Sequence, residues 1–206
     1  MSAHALLTDV HEAQADWTVA DTIQFTGKYS FADSGADVRG AGGFSLNTMN
    51  RIRSQAQTTT GTFAWTASPN IVVDLRANYS RLRVAGSQAL DSFGGAVVPS
   101  DLVPSVDESF NFDLNARGAN LMIGSDVANI QRQFNTVGAM HAVFGNHSFR
   151  FGADYRRMSP QLGFRARETN VLFDGIDQAM TGVPSRTSSR AGAAVRCRER
   201  PRARAR

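Results

Sequence analysis

FAWTASPNIVVDLRANYSRLRV, residues 63–84, alternates apolar and polar side chains on both sides of a turn signal, Ser68, Pro69 and Asn70. Before the turn, Gly61, Phe63, Trp65 and Ala67 share one face, and Thr60, Thr62, Ala64 and Thr66 share the other. After it, Ile71, Val73, Leu75, Ala77 and Tyr79 alternate with Val72, Asp74, Arg76, Asn78 and Ser80. Successive side chains of a strand point to opposite faces, and Pro and Asn suit a tight connection. The stretch therefore reads as a hairpin with arms of about ten residues. What covers its apolar face is either the core of a soluble protein or lipid. Length favours lipid, since soluble strands run to about 5–6 residues and tilted membrane-spanning ones to about 9–11.

The same pattern recurs on either side. Residues 17–31, WTVADTIQFTGKYSF, place Trp17, Val19, Ile23, Phe25, Gly27, Tyr29 and Phe31 on one face, interrupted by Asp21. Thr18, Ala20, Thr22, Gln24, Thr26, Lys28 and Ser30 fill the other. A second hairpin spans residues 129–157 and turns at Gly145 and Asn146. Its outgoing arm sets Phe149, Phe151, Ala153 and Tyr155 against Arg150, Gly152, Asp154 and Arg156; its incoming arm is noisier, because Arg132 interrupts the apolar phase of Ile130, Phe134, Gly138 and Met140. Residues 4–15 fit a sixth strand turning at Asp16, or a short amphipathic helix.

The connections alternate in length. Short ones are expected near Asp16, Pro69 and Asn146, and long ones over residues 32–58 and 85–128. Loops beyond about 12–15 residues are uncommon in compact soluble domains, whereas outer-membrane barrels have short periplasmic turns and long extracellular loops. Trp17, Trp65 and Phe149 fall toward the short turns, and Tyr29, Phe31, Tyr79 and Tyr155 toward the long loops, as two interfacial aromatic belts would. The fold expected is all-β: an antiparallel up-and-down meander of about five or six long strands, an open segment of a large outer-membrane barrel. Phe25, Tyr29, Leu75, Tyr79, Phe151 and Tyr155 are the expected lipid-facing set. Gln24, Lys28, Asp74, Arg76, Arg150 and Asp154 are the expected lumen-facing set.

Several stretches carry a family resemblance. DWTVADTIQFTGKYSFADSG, TGTFAWTASPNIVVDLRANYSR, LDSFGGAVVP and GNHSFRFGADYRRMSP resemble the barrel of TonB-dependent outer-membrane receptors, and most of all the Oar-like branch. Asp74, Leu75 and Arg76 with Tyr79, Ser80 and Arg81 repeat one pattern of that branch; Gly145, His147, Phe149, Arg150, Phe151 and Gly152 repeat another. The resemblance covers residues 5–185. It implies a large barrel holding a plug in its lumen, a short box that contacts an inner-membrane energising protein, and uptake of a large nutrient such as a metal chelate or a glycan. The chain departs from this in strand number, in having no plug, and in having no recognisable box.

Chemistry-bearing motifs are sparse. His4, His11, His141 and His147 lack a metal-ligand spacing; His141 and His147 approach each other only across a hairpin, with two further ligands missing. RGAGG at residues 39–43 matches neither the phosphate-binding nor the dinucleotide pattern, and no Gly-x-Ser-x-Gly elbow occurs. Asp101, Asp107, Glu108 and Asp113 cluster in the second long connection, where carboxylates could bind calcium but read better as solvated loop charges. No enzyme activity, cofactor or metal is expected, and no nucleic acid partner; the partners expected are outer-membrane lipid, the family's energising protein and an unidentified transported substrate.

The net charge of +4 divides unevenly. Eight arginines and one glutamate lie in residues 186–206, which leaves fourteen basic against seventeen acidic groups in residues 1–185. Residues 1–185 are read as the barrel segment and 186–206 as a disordered basic tail. Its Arg, Ala, Gly and Pro composition fits a shifted reading frame in a GC-rich gene better than a basic arm for nucleic acid or anionic lipid. No run of about 18 apolar residues occurs, so no membrane helix is expected, and the N-terminus lacks a signal-peptide pattern. The only cysteine, Cys197, lies in the tail, so the body has no disulfide framework. The other readings are a soluble antiparallel sandwich that binds ligand through its loops, and a truncated product without activity. Six strands alone leave two unpaired edges that lipid cannot satisfy, so the chain is not expected to transport by itself.

Overall fold

A computed structural model of the chain describes residues 4–40, 43–98, 108–115, 119–163 and 167–191. Six long strands dominate it: β1 (His4–Ala20), β2 (Ile23–Arg39), β3 (Thr48–Ser68), β4 (Ile71–Leu90), β6 (Ala119–Phe144) and β7 (His147–Gln161). Each pairs antiparallel with the next, in the order β1, β2, β3, β4, β6, β7. Three short strands, β5 (Glu108–Leu114), β8 (Arg167–Phe173) and β9 (Arg186–Ala191), extend the sheet beside the start of β6. β5 pairs with residues 119–124, which β7 does not reach. It lies parallel to β8, the one departure from antiparallel order among the named strand pairs. A short α-helix, α1 (Ile176–Thr181), joins β8 to β9. Among the described residues the sheet is open, with β1 at one edge and β7 and β9 at the other.

The three tight turns lie at one end of the sheet. Ser68 and Ile71 flank the Pro69–Asn70 turn, and Phe144 and His147 flank Gly145–Asn146. Gly145 sits at φ 57°, a left-handed conformation that glycine adopts without steric penalty. The first turn is at Asp21 and Thr22, not at Asp16: Trp17 belongs to β1 and pairs with Phe25. A two-residue turn inverts the parity of the alternation, but the bulge between Thr18 and Ala20 restores it, so one apolar phase runs unbroken from β1 into β2 and looks like a single strand. Asp21, the residue that interrupts the pattern, marks the turn. Residues 4–15 are strand, the backbone of His4 pairing with Val38.

The long connections shrink. β2 and β3 continue through residues 32–39 and 48–58, leaving only 40–47 between them. β4 continues to Leu90, and the second connection contains β5. These extensions carry Ser34, Asp33, Asp37, Arg51, Arg53 and Gln55 on both faces. A backbone ladder satisfies its own N–H and C=O groups without an apolar face, so alternation does not report it. The first six residues of the basic tail likewise form a strand, with Arg186 pairing with Leu172 and Ala191 with Arg167. Asp101, Asp107, Cys197 and residues 192–206 lie outside the described residues.

Among the described residues the sheet has no second layer. Among the described residues the buried apolar side chains are only Ala85, Met122 and Ala142, while Trp17 is 67 % exposed, Phe151 57 % and Leu75 44 %. A sandwich would bury such residues beneath a facing sheet. That alternative is therefore set aside, and among the described residues nothing covers the apolar face.

Candidate membrane face, polar face and rim

The register sorts the side chains into two faces, because residues paired across antiparallel strands point the same way. One row reads Trp17, Phe25, Phe63, Leu75, Gly138, Ala153 from β1 to β7. The row nearer the turns reads Ile23, Trp65, Val73, Met140, Phe151. Two rows further from the turns than the Phe25 row come Ala13, Tyr29, Thr59, Tyr79, Phe134 and Arg157. Phe25, Tyr29, Leu75, Tyr79, Phe151 and Tyr155 thus share one face. Neighbouring rings on it meet at 6.3 Å for Phe25 and Phe63 and 6.5 Å for Phe134 and Tyr155.

Between the turns and the Tyr79 row, this face carries no charged residue on β2, β3, β4 or β6. Arginine appears in the Tyr79 row itself on β7, as Arg157, and in the next row on β4 and β6, where Arg81 pairs with Arg132. From Ile71 to Arg81 the strand advances roughly 34 Å at about 3.4 Å per residue. A tilt of about 40° foreshortens that to about 26 Å, close to the roughly 25 Å apolar band of outer-membrane barrels.

Gln24, Lys28, Asp74, Arg76, Arg150 and Asp154 occupy the opposite face, in rows with Ala64, Thr60, Asn78, Asn135 and Arg156. Lys28 Nζ lies 3.3 Å from Glu12 Oε2, both about half exposed. Asn78 Nδ2 donates to Thr60 Oγ1 at 2.7 Å, and His141 Nε2 lies 2.9 Å from Ser148 Oγ. Hydroxyls, amides and charges of both signs give this face the character of a hydrated surface. His141 and His147 do not converge: His141 pairs with Arg150 on the polar face, whereas His147 shares its parity with Phe149. Among the described residues no three His, Cys, Asp or Glu side chains gather as a metal site.

The end of the sheet opposite the turns forms a rim. Arg39, the last residue of β2, contacts Asp91 just after β4 through two nitrogens at 2.7 and 2.5 Å. A third bond runs from Arg39 to the Leu46 carbonyl at 2.9 Å, and its guanidinium carbon lies 4.6 Å from the centroid of Phe93. Asn47 Nδ2 donates to the Phe93 carbonyl at 2.7 Å. The Arg39 hydrogen bonds hold the Asp91 carboxyl below the usual carboxylate range, against partial desolvation. Arg53 reaches Asp37 at 2.6 Å by lying across Gly35, where an added Cβ would meet its side chain at 3.0 Å. That hydrogen bond likewise lowers the Asp37 pKa. Beside the Arg39 cluster is an open cavity of about 490 Å³, walled mainly by apolar side chains including Leu90, Val97, Phe112, Leu121 and Phe173, with Asp91 and Asp113 at its margin.

Sequence reasoning missed this rim. Arg39 and Asp91 are 52 residues apart, and no local pattern links them. The outward arginines had a signal: the apolar phase that begins at Ile71 runs straight on to Arg81 and Arg83.

A family model described as an outer membrane beta barrel domain matches residues 5–196, a span that includes β9. No curated protein and no solved structure matches the chain.

Proposed function

This chain belongs to the outer membrane beta-barrel domain family and so is placed in the outer membrane; we propose that its six long strands form part of the wall of a TonB-dependent, Oar-like receptor. In this reading the Phe25, Leu75 and Phe151 face meets lipid, and the Asp74, Arg76 and Arg150 face lines the lumen. The tight turns lie in the periplasm and the rim at the cell surface. The receptor takes up a large nutrient, a metal chelate or a glycan, driven by an inner-membrane energising protein. It performs no catalysis.

One observation carries the lipid reading: a charge-free band about as tall as a bilayer core crosses an exposed face, backed by a polar face. The chain's two tryptophans, Trp17 and Trp65, both lie on the apolar face, so native fluorescence tests it. With the full chain refolded into vesicles, phospholipids brominated on their acyl chains should quench both tryptophans while aqueous iodide does not. Quenching by iodide alone would reverse the assignment. The receptor reading is tested in the flanking coding sequence, which should supply a plug and further alternating strands; a plugless barrel there would sink it.

A further inference from the structure

We propose that the rim cavity beside the Arg39 cluster is a binding site for a neutral, largely apolar small molecule. The site goes beyond the receptor reading, because its strand-borne walls face away from the lumen. Gln88 lies on the polar face and pairs with Gly124. Successive strand residues point to opposite faces, so Leu121, three residues from Gly124 on β6, points outward. Its partner Phe112 points the same way, as do Leu114, two residues further along β5, and Leu114's partner Phe173 on β8. Ala96, Val97 and Val98, which follow β4, and Ala179 of α1 line the same cavity. Segments distant in sequence thus converge on about 490 Å³ of open space.

Size and position select the kind of occupant. Small-molecule sites are clefts of about 300–1,000 Å³, mostly apolar with a few polar groups, whereas protein partners use broader surfaces. Lipid does not fill this cleft under the membrane placement given above. Leu121 lies eleven residues beyond Arg132 on β6, roughly 30 Å past the border of the charge-free band. Water in an apolar cleft finds few hydrogen bonds, so an apolar ligand that displaces it gains free energy. Charge narrows the class further. The charged side chains of the described lining are both carboxylates, Asp91 and Asp113, and these repel an anion. A cation would have to displace Arg39, which holds Asp91 through two nitrogens, and Asp113 has a partner of its own. Asn47 is engaged with the carbonyls of Asp91 and Phe93. Ser45 remains: its Oγ is buried and has no hydrogen-bond partner among the described residues. That hydroxyl can satisfy one carbonyl or hydroxyl of a ligand whose body meets Leu90, Phe112, Leu121 and Phe173.

The test uses benzophenone, a neutral photo-labelling probe with one carbonyl, on the full chain folded in vesicles, and maps labelled peptides by mass spectrometry. Labelling of residues 96–98, 112–114 and 173 should saturate as the probe concentration rises. Labelling of the band that holds Phe25, Leu75 and Phe151 should rise linearly, because there the probe only partitions into lipid. The anionic analogue 4-benzoylbenzoate, compared at equal free concentration, should label the rim at least about tenfold less, reflecting the cost of burying an unpaired charge. L121W fills the cavity and should abolish the saturable labelling while leaving that of the band unchanged; R150Q, on the polar face, should change neither. If L121W also loses band labelling, A179F, at an exposed position, takes its place. Linear labelling at the rim, equal labelling by the anionic analogue, or saturable labelling that survives both L121W and A179F would each overturn the site. Band labelling without saturable rim labelling defeats this site alone. Absent band labelling defeats the membrane placement, while the rim result still decides the site.

Discussion

Arg39 and Asp91 close a two-nitrogen ion pair between the end of β2 and the segment after β4, at 2.7 and 2.5 Å, although 52 residues separate them. The pair ties two strand ends that are not neighbours in the sheet, since β3 lies between them. The folded-state pKa of Asp91 is below its ordinary value, so its stabilisation is present above about pH 4 and lost as pH falls through the lower folded value. Hydrogen exchange at the Asp91 and Phe93 amides, which donate to the Asn47 carbonyl and the Asp91 carboxylate, should be slow and flat from pH 7 to 5 after correction for intrinsic rates, and should accelerate only in stronger acid. D91N should show fast exchange at every pH. A D91N rim as protected as wild type would remove the pair from the account.

The face assignment predicts opposite outcomes for neighbouring residues. L75R places a cation in the middle of the charge-free band and should destabilise the chain folded in bilayers by about 2–4 kcal/mol. D74N, one residue away on the polar face, should change it by less than about 0.5 kcal/mol, as surface substitutions generally do. Folding free energies from urea titration in lipid vesicles measure both, and similar values would contradict the separation of faces.

At the β6–β7 turn, Gly145 has φ 57°. G145A should destabilise the hairpin by about 1 kcal/mol, because a Cβ disfavours the left-handed region. G145N should cost less, since asparagine visits that region more readily. Equal midpoints for the three proteins in urea would show that the turn relaxes to another conformation.

The Asn78–Thr60 hydrogen bond, 2.7 Å across β3 and β4, predicts measurable coupling. A double-mutant cycle with N78A and T60A should give about 0.5–1 kcal/mol. Additive losses would mean that water replaces the bond at no net change.

Much of this was legible in the residues. The Pro69–Asn70 and Gly145–Asn146 turns and the composition of both faces follow from alternation alone. Asp21 broke the pattern because it lies in a turn, and Arg132 broke it because the outward row changes there from aromatic to basic. The strand extensions at 32–39 and 48–58 left no mark, because a strand with water on both sides needs no apolar alternate positions. The composition of the basic tail likewise hid β9, which pairs with the preceding strand β8 across α1.

The sequence by itself determined which side chains share a face, since backbone geometry turns successive residues to opposite sides whatever the partner strand. It also determined where the chain reverses, since proline, glycine and asparagine act on local dihedral angles. Only the tertiary structure decided which strand lies beside which, and in what register. That choice sets Arg81 against Arg132 and brings Arg39 to Asp91. It depends on hydrogen-bond ladders between distant segments, and a one-residue slip in any of them would turn a whole strand's side chains to the other face.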